Sequence, residues 1–231
     1  MWRVLRLFHD PGLPLTVFGV AQAMARNPAA VEAFLRDGHE TAGHGWHWLS
    51  CQDAPEDMER ERLARAVETI RGLTGEPLLG WHAGRDSPNT RRLVVEHGGF
   101  LYDSDSYADD LPCWEHVGGT PHLVVPYTLD TNDMRFAVPG GFPSGEPFFA
   151  HLRGAFGCLY AEGAEAPKML SVGLHCRLVG RPARLPALAR FIDHVLARPD
   201  VWATRRIGIA RHWAAVHPAP RPALQRAETA P

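Results

Sequence analysis

Short apolar segments alternating with helical patterns predict an α/β fold, in which parallel strands are covered by helices. The segments are 15–20, 40–43, 78–82, 100–103, 123–129, 169–175 and 201–204. A second observation supports the class. Ionisable or aromatic residues stand where five segments end: His44; Trp81, His82 and Arg85; Asp103 and Asp105; Asp130; and His175. In β/α folds a pocket forms at that end of the strands. The intervening helices are placed by apolar spacing and by their stops. Residues 55–73 carry Leu63, Val67 and Ile70 on one face, and 90–97 follow the capping candidate Asn89 and stop at Gly98-Gly99. Residues 147–160 and 185–197 read as two more. From Pro218 the chain lacks an apolar face, so 1–217 is expected as the folded domain and 218–231 as a disordered tail.

Composition narrows the function classes. With 231 residues, 45% hydrophobic and 22% charged, the chain fits a soluble globular protein. A net charge of −2 argues against nucleic acid or an anionic membrane as partner. No stretch reaches the roughly 18 apolar residues that cross a bilayer, and the start lacks a secretory signal pattern. The cysteines Cys51, Cys113, Cys158 and Cys176 form no CxxC pair, so a reduced, cytoplasmic setting is expected. Signatures of serine hydrolases (GxSxG), P-loops and dinucleotide-binding folds are all missing from the sequence.

Several polar clusters remain. In Gly38-His39-Glu40-Thr41-Ala42-Gly43-His44-Gly45-Trp46-His47-Trp48, three histidines suggest a metal site. On a strand end, however, His44 and His47 project to opposite faces, so His39 and His47 read as core histidines beside an aromatic lid of Trp46 and Trp48. Arg85 offers forked donors for a carboxylate, a carbonyl or an oxyanion, or else pairs with Asp86 or Asp103. Asp103, nearest its strand end, is the carboxylate expected to orient a histidine or arginine. His175 ends an apolar strand and is either a proton shuttle or a satisfied core histidine.

These segments together resemble the polysaccharide deacetylase (NodB-like) superfamily, and most closely its metal-independent bacterial allantoinase branch in urate catabolism. The resemblance rests on Leu15-Thr16-Val17-Phe18-Gly19-Val20, Gly38-His39-Glu40, His44-Gly45-Trp46, Gly84-Arg85, Ser87-Pro88-Asn89-Thr90-Arg91, Tyr102-Asp103-Ser104, Asp109-Asp110-Leu111-Pro112, Val125-Pro126-Tyr127, Asp130-Thr131-Asn132-Asp133 and Leu174-His175. It implies a distorted (β/α) barrel of NodB type. Metal-dependent members hold their ion with an aspartate near the first strand and a His-x-x-x-His pair. His44 matches the first histidine, but Trp48 stands at the second, so neither a metal nor any other cofactor is expected. The chain begins inside a helix matching Trp2–His9, which implies a barrel truncated before its first strand and the acidic residue that strand bears.

The implied function is hydrolysis of a cyclic amide, allantoin to allantoate in purine catabolism. His175 would shuttle the proton, Arg85 would bind a carbonyl or the oxyanion, and Asp103 would orient one of them. Trp46 and Trp81 would stack on the flat ring, with His44 and Asp130 also binding substrate. The partner is a small molecule, allantoin or a related cyclic ureide, and the family implies a homo-oligomer, a tetramer. The alternatives are a metal-dependent polysaccharide or peptidoglycan N-deacetylase and a truncated, non-catalytic homologue.

Overall fold

A parallel sheet with one antiparallel edge organises the molecule, described for residues 1–220 by a computed structural model. Strands β1 (Thr16–Gly19), β2 (Glu40–Gly43), β3 (Gly80–Trp81), β4 (Tyr102–Asp103) and β6 (Thr120–Val124) pair in parallel in that order, and β5 (Cys113–Val117) pairs antiparallel with β6. Helices α1 (Trp2–His9), α2 (Ala21–Ala25), α3 (Pro28–Arg36), α4 (Glu56–Thr74), α5 (Thr90–His97), α6 (Gly145–Glu162), α7 (Leu185–Leu196) and α8 (Arg206–Val216) fill the connections. The mixed α/β class predicted by the alternation is the one observed. None of these helices is long and apolar enough to cross a membrane.

Three segments depart from expectation. The run 123–129 starts earlier, as β6, because Gly118 and Gly119 take φ of +58° and +84° and close a two-residue hairpin with β5. Segment 169–175 is extended but makes only one bridge, Gly173 to Asn132, because its neighbour is a loop. Segment 201–204 joins no strand and leads into α8 instead. There the Thr16 hydroxyl accepts from the Arg206 amide (2.8 Å) and the Glu40 carboxylate from the Ile207 amide (2.9 Å), satisfying donors that a helix start leaves open. Of the expected tail, residues 221–231 lie outside the described residues.

Side chains alternate across a strand, and the register fixes two faces. Glu40, Ala42, Gly80, Tyr102 and Leu123 share the inner one. A Cβ on Gly80 would stand 2.4 Å from the Tyr102 ring, so only glycine admits that tyrosine. The Tyr102 hydroxyl donates to Glu40 (2.7 Å), and α8 packs Ile207 and Ala210 against Tyr102, Leu123 and Val125. On the outer face Trp81 packs with Leu63, Ile70, Leu93 and Val94 of α4 and α5. A separate cluster, built on Phe148, Leu152, Leu188 and Phe191 with Val4 and Phe8, joins α6, α7 and α1.

Candidate active site

Continuing the inner face past the strand ends brings His44, His82, Ser104 and Tyr127 to one mouth. The rings of His44 and His82 stack with centroids 5.4 Å apart, and His82 lies nearly parallel to Tyr127 at 5.0 Å. Nδ1 of His44 sits 2.6 Å from the carbonyl oxygen of His82. A carbonyl only accepts, so Nδ1 carries the hydrogen and Nε2 presents a lone pair. Burial, followed by the neighbouring His82, pushes the pKa of His44 down to about 4, which keeps it neutral. Asp105 contacts Nδ1 of His82 (2.9 Å) and accepts from the amides of Ala83 and Gly84, each at 2.8 Å.

Beneath this stack lies the buried guanidinium of Arg206, over the rings of Phe18 (5.5 Å) and Tyr127 (5.4 Å). It donates to Ser104 Oγ (3.1 Å), the carbonyls of Val125 (2.9 Å) and Pro126 (3.0 Å), and Ser171 Oγ (2.5 Å). It therefore ties β4, the end of β6 and segment 169–175 into one floor.

On that floor stands a histidine–carboxylate pair. Asp133 is fully buried at the start of a 3₁₀ turn, Asp133–Ala137. Its Oδ1 accepts from His175 Nδ1 at 2.6 Å, and its Oδ2 from the amides of His175 (2.8 Å) and Val179 (3.1 Å). The backbone bridge between Asn132 and Gly173 sets the two segments side by side. A carboxylate accepts only, so His175 is held with its hydrogen on Nδ1, leaving Nε2 to take or give a proton; the ring stays 26% exposed. A cleft of about 420 Å³ opens at Tyr127, lined also by Tyr107, Asp109, Asp110, Thr128 and Asp130, and Asn132, next to Asp133, donates to the Tyr127 hydroxyl at 2.9 Å.

The expected site residues divide. His44 and His175 share this mouth, close enough that His175 is among the groups disfavouring charge on His44. Asp130 lines the cleft, exposed, with His151 Nε2 at 3.2 Å. Arg85 pairs with neither Asp86 nor Asp103 among the described residues. Its guanidinium lies 5.1 Å over the Trp48 ring, which Arg177 covers at 5.6 Å.

Asp103 needs correction, because alternation turns it to the outer face. It accepts there from Arg91 Nε (2.9 Å) and lies 3.0 Å from His122 Nε2. Burial would raise its carboxyl pKa, but the bonds to His122 and Arg91 hold it below the usual range. It orients an arginine and a histidine, but away from the cleft. Trp81 shares that face, 4% exposed among the side chains of α4 and α5, and has no room to stack on a ligand. Trp46 packs half-buried on the same cluster with Arg65 4.5 Å over its ring, so of the expected lid only Trp48 is exposed. His39 is buried, accepting from the Leu15 amide at Nδ1, and His47 is half-buried.

Sequence reasoning placed His82 at a strand end without giving it a role, and missed Asp133, Tyr127 and Arg206 as site residues. For the first two the signal lay within Val125-Pro126-Tyr127 and Asn132-Asp133. The Ser-Pro-Asn-Thr run has a structural explanation: buried Glu59 of α4 accepts from the hydroxyls of Ser87 (2.6 Å) and Thr90, pinning the loop that bears Arg85.

The described donors do not suit the zinc ion of the metal-dependent relatives. Zinc needs three or four converging N, S or O ligands. No three His, Cys, Asp or Glu side chains so converge among the described residues. The position of the second histidine is the indole of Trp48, flanked by two cationic guanidiniums.

Comparison with known proteins agrees with this architecture. The family profile described as polysaccharide deacetylase matches residues 1–98. A Schizosaccharomyces pombe protein assigned to the polysaccharide deacetylases is 38% identical over 94% of this chain and 73% of its own length. The crystal structure of PuuE allantoinase superposes with a TM-score of 0.92 at 57% identity, covering 94% of this chain and 72% of that one. A probable polysaccharide deacetylase from Pseudomonas aeruginosa PAO1 gives the same TM-score at 55% identity, covering 94% and 73%. Such neighbours are NodB-type (β/α) barrels, of which the open parallel sheet here is the matching part. With sheet, mouth and relatives in accord, this chain belongs to the polysaccharide deacetylase family.

Proposed function

We propose that this hydrolase of the deacetylase family opens the ring amide of a small cyclic ureide, allantoin giving allantoate. The observation that carries the reading is the Asp133–His175 pair, linked to the cleft through the hydrogen bond from Asn132 to Tyr127. Likeness to PuuE allantoinase supports the choice of ring. So does the cleft chemistry: Asp109, Asp110 and Asp130 supply acceptors for the many N–H groups of a ureide, and Tyr107 and Tyr127 supply aromatic faces. With Trp81 and Trp46 packed away, ring contact falls to those two tyrosines.

In the proposed step, a water oxygen bonds to the ring carbonyl carbon while Nε2 of His175 takes the water proton. The C–N bond then breaks, and His175 returns that proton to the leaving nitrogen. Asp133 keeps Nδ1 protonated and stabilises the imidazolium that forms between the two transfers. His44 positions the substrate through the lone pair of Nε2, and Arg85 binds a ring or ureido carbonyl. The partner is the small molecule alone, and assembly into a homo-oligomer is part of the same reading.

The test is allantoate formation by the purified chain before and after EDTA treatment. Activity that survives chelation is the expected result. Loss restored by zinc would overturn the metal-free reading and favour a metal-dependent N-deacetylase; the Pseudomonas aeruginosa neighbour is described as a probable polysaccharide deacetylase. Turnover of neither allantoin nor an N-acetylglucosamine oligomer would favour a non-catalytic role.

A further inference from the structure

Amide hydrolysis needs a donor for the carbonyl oxygen as it gains charge, and neither His175 nor Asp133 is that group. Tyr127 lines the cleft, stacked on His82 and resting above Arg206. The hydrogen bonds around its hydroxyl settle where its hydrogen is available. Oδ1 of Asn132 accepts from the Met134 amide at 2.8 Å, so the amide group of Asn132 is not free to flip. Its Nδ2 therefore donates to the Tyr127 hydroxyl oxygen, 2.9 Å away. That oxygen is the acceptor of this bond, and no protein acceptor takes its hydrogen among the described residues. Gly173, two residues before His175, leaves the space for this hydroxyl: a Cβ there would stand 2.0 Å from it.

We propose that Tyr127 is the electrophilic catalyst of the site, donating its hydroxyl hydrogen to the substrate carbonyl oxygen and to the oxyanion formed from it. Asn132 acts as a positioning residue that aims this hydrogen outward. Burial, opposed only in part by Arg206, pushes the Tyr127 pKa up to about 12, so the donor stays protonated over the working range. Preorganised donors of this kind act chiefly on the transition state. The choice of assay substrate rests on the reading above; the role of Tyr127 does not, because any amide carbonyl placed there meets the same hydroxyl.

Two nearly isosteric variants of the full chain test it. Tyr127→Phe removes the hydroxyl and keeps the ring. Asn132→Asp keeps the hydroxyl but replaces its donor neighbour with a carboxylate oxygen, which draws the hydrogen inward. Each is expected to lower kcat by about 100-fold or more, with KM changed far less. The double variant should be no worse than either single one, because both remove the same bond. The assay uses allantoin and an N-acetylglucosamine oligomer, with hydantoin binding measured by calorimetry and folding checked by circular dichroism. A loss confined to the oligomer, with allantoin untouched by the wild type, would overturn the ureide reading and support the role of Tyr127. Unchanged kcat and hydantoin affinity in folded Tyr127→Phe, or an active Asn132→Asp, would overturn the proposal. A wild-type chain that turns over neither amide and binds no hydantoin would overturn both.

Discussion

Replacing Asp133 by asparagine changes one atom and reverses one hydrogen bond. The carboxylate accepts three bonds, one at Oδ1 from the His175 ring and two at Oδ2 from backbone amides. The asparagine side chain has one acceptor oxygen. If that oxygen faces the His175 ring, its NH₂ meets two N–H donors, each left unsatisfied at about 1–3 kcal/mol. If it faces the two amides, only the bond to the ring is disturbed. The second orientation wins, and the NH₂ then donates to His175 Nδ1. The ring hydrogen must move to Nε2, and a protonated Nε2 accepts nothing from water. The expected loss is about 10³–10⁴-fold in kcat, the scale seen when a catalytic histidine is held in the wrong tautomer. Exchanging a charged acceptor for a neutral one costs about 1–2 kcal/mol, which lowers Tm by about 2–8 °C in a chain of this size. Allantoate formation gives the kinetic loss, and ¹⁵N chemical shifts of His175 report the tautomer without any substrate. An Asp133→Asn enzyme retaining a tenth of wild-type kcat, or a ring still protonated on Nδ1, would refute the reasoning.

Three other substitutions separate structure from chemistry. Asp103→Ala leaves Arg91 and His122 without their buried partner and is expected to cost about 3–5 kcal/mol by urea unfolding, with kcat of the folded fraction within a few-fold of wild type. His44 has a folded pKa near 4, below its ordinary 6.5. Its contribution is fully present above pH 6.5 and lost as pH falls toward 4, up to about 3 kcal/mol. His44→Gln is expected to flatten the fall in unfolding free energy between pH 7 and pH 4.5, and a slope equal to wild type would count against the burial argument. Trp48→Ala removes the surface shared by Arg85 and Arg177. With Trp48 about half exposed, Tm should move by no more than about 2 °C while KM for allantoin rises, as initial-rate kinetics would show.

Much of the fold could be read from the chain because strong periodic signals and stops agree. Residues 55–73 and 90–97 became α4 and α5, and 40–43 became β2. The hairpin at Gly118-Gly119 is also written in the sequence, as two adjacent glycines able to take positive φ, but the longer apolar run that follows masks where its second strand begins. Helix α8 lacks a clear apolar stripe. Its start depends on Thr16 and Glu40, which no local window contains. The site was half legible for a simpler reason: phase. His82 and Ser104 continue the inner face, while Trp81 and Asp103, one residue earlier, face the helices. Strands as short as Gly80–Trp81 and Tyr102–Asp103 offer too few alternations to show which phase is inside. Asp133 escaped notice because its partner His175 lies 42 residues away, joined through a loop rather than a strand pair.

The anchoring of α8 has a consequence for how the molecule is made. The amide of Arg206 reaches Thr16 across 190 positions of sequence, and the amide of Ile207 reaches Glu40 across 167. On the ribosome, the early strands emerge long before the residues that cap their lower ends. Until then Glu40, Tyr102 and Ser104 face an unsealed, hydrated space, and a nascent chain stalled before residue 206 has no guanidinium to knit β4, β6 and segment 169–175 together. Closure of the interior is thus a late event of synthesis, with a slow, long-range loop to close. Chaperone capture and proteolysis should fall most heavily on chains that have not yet released α8.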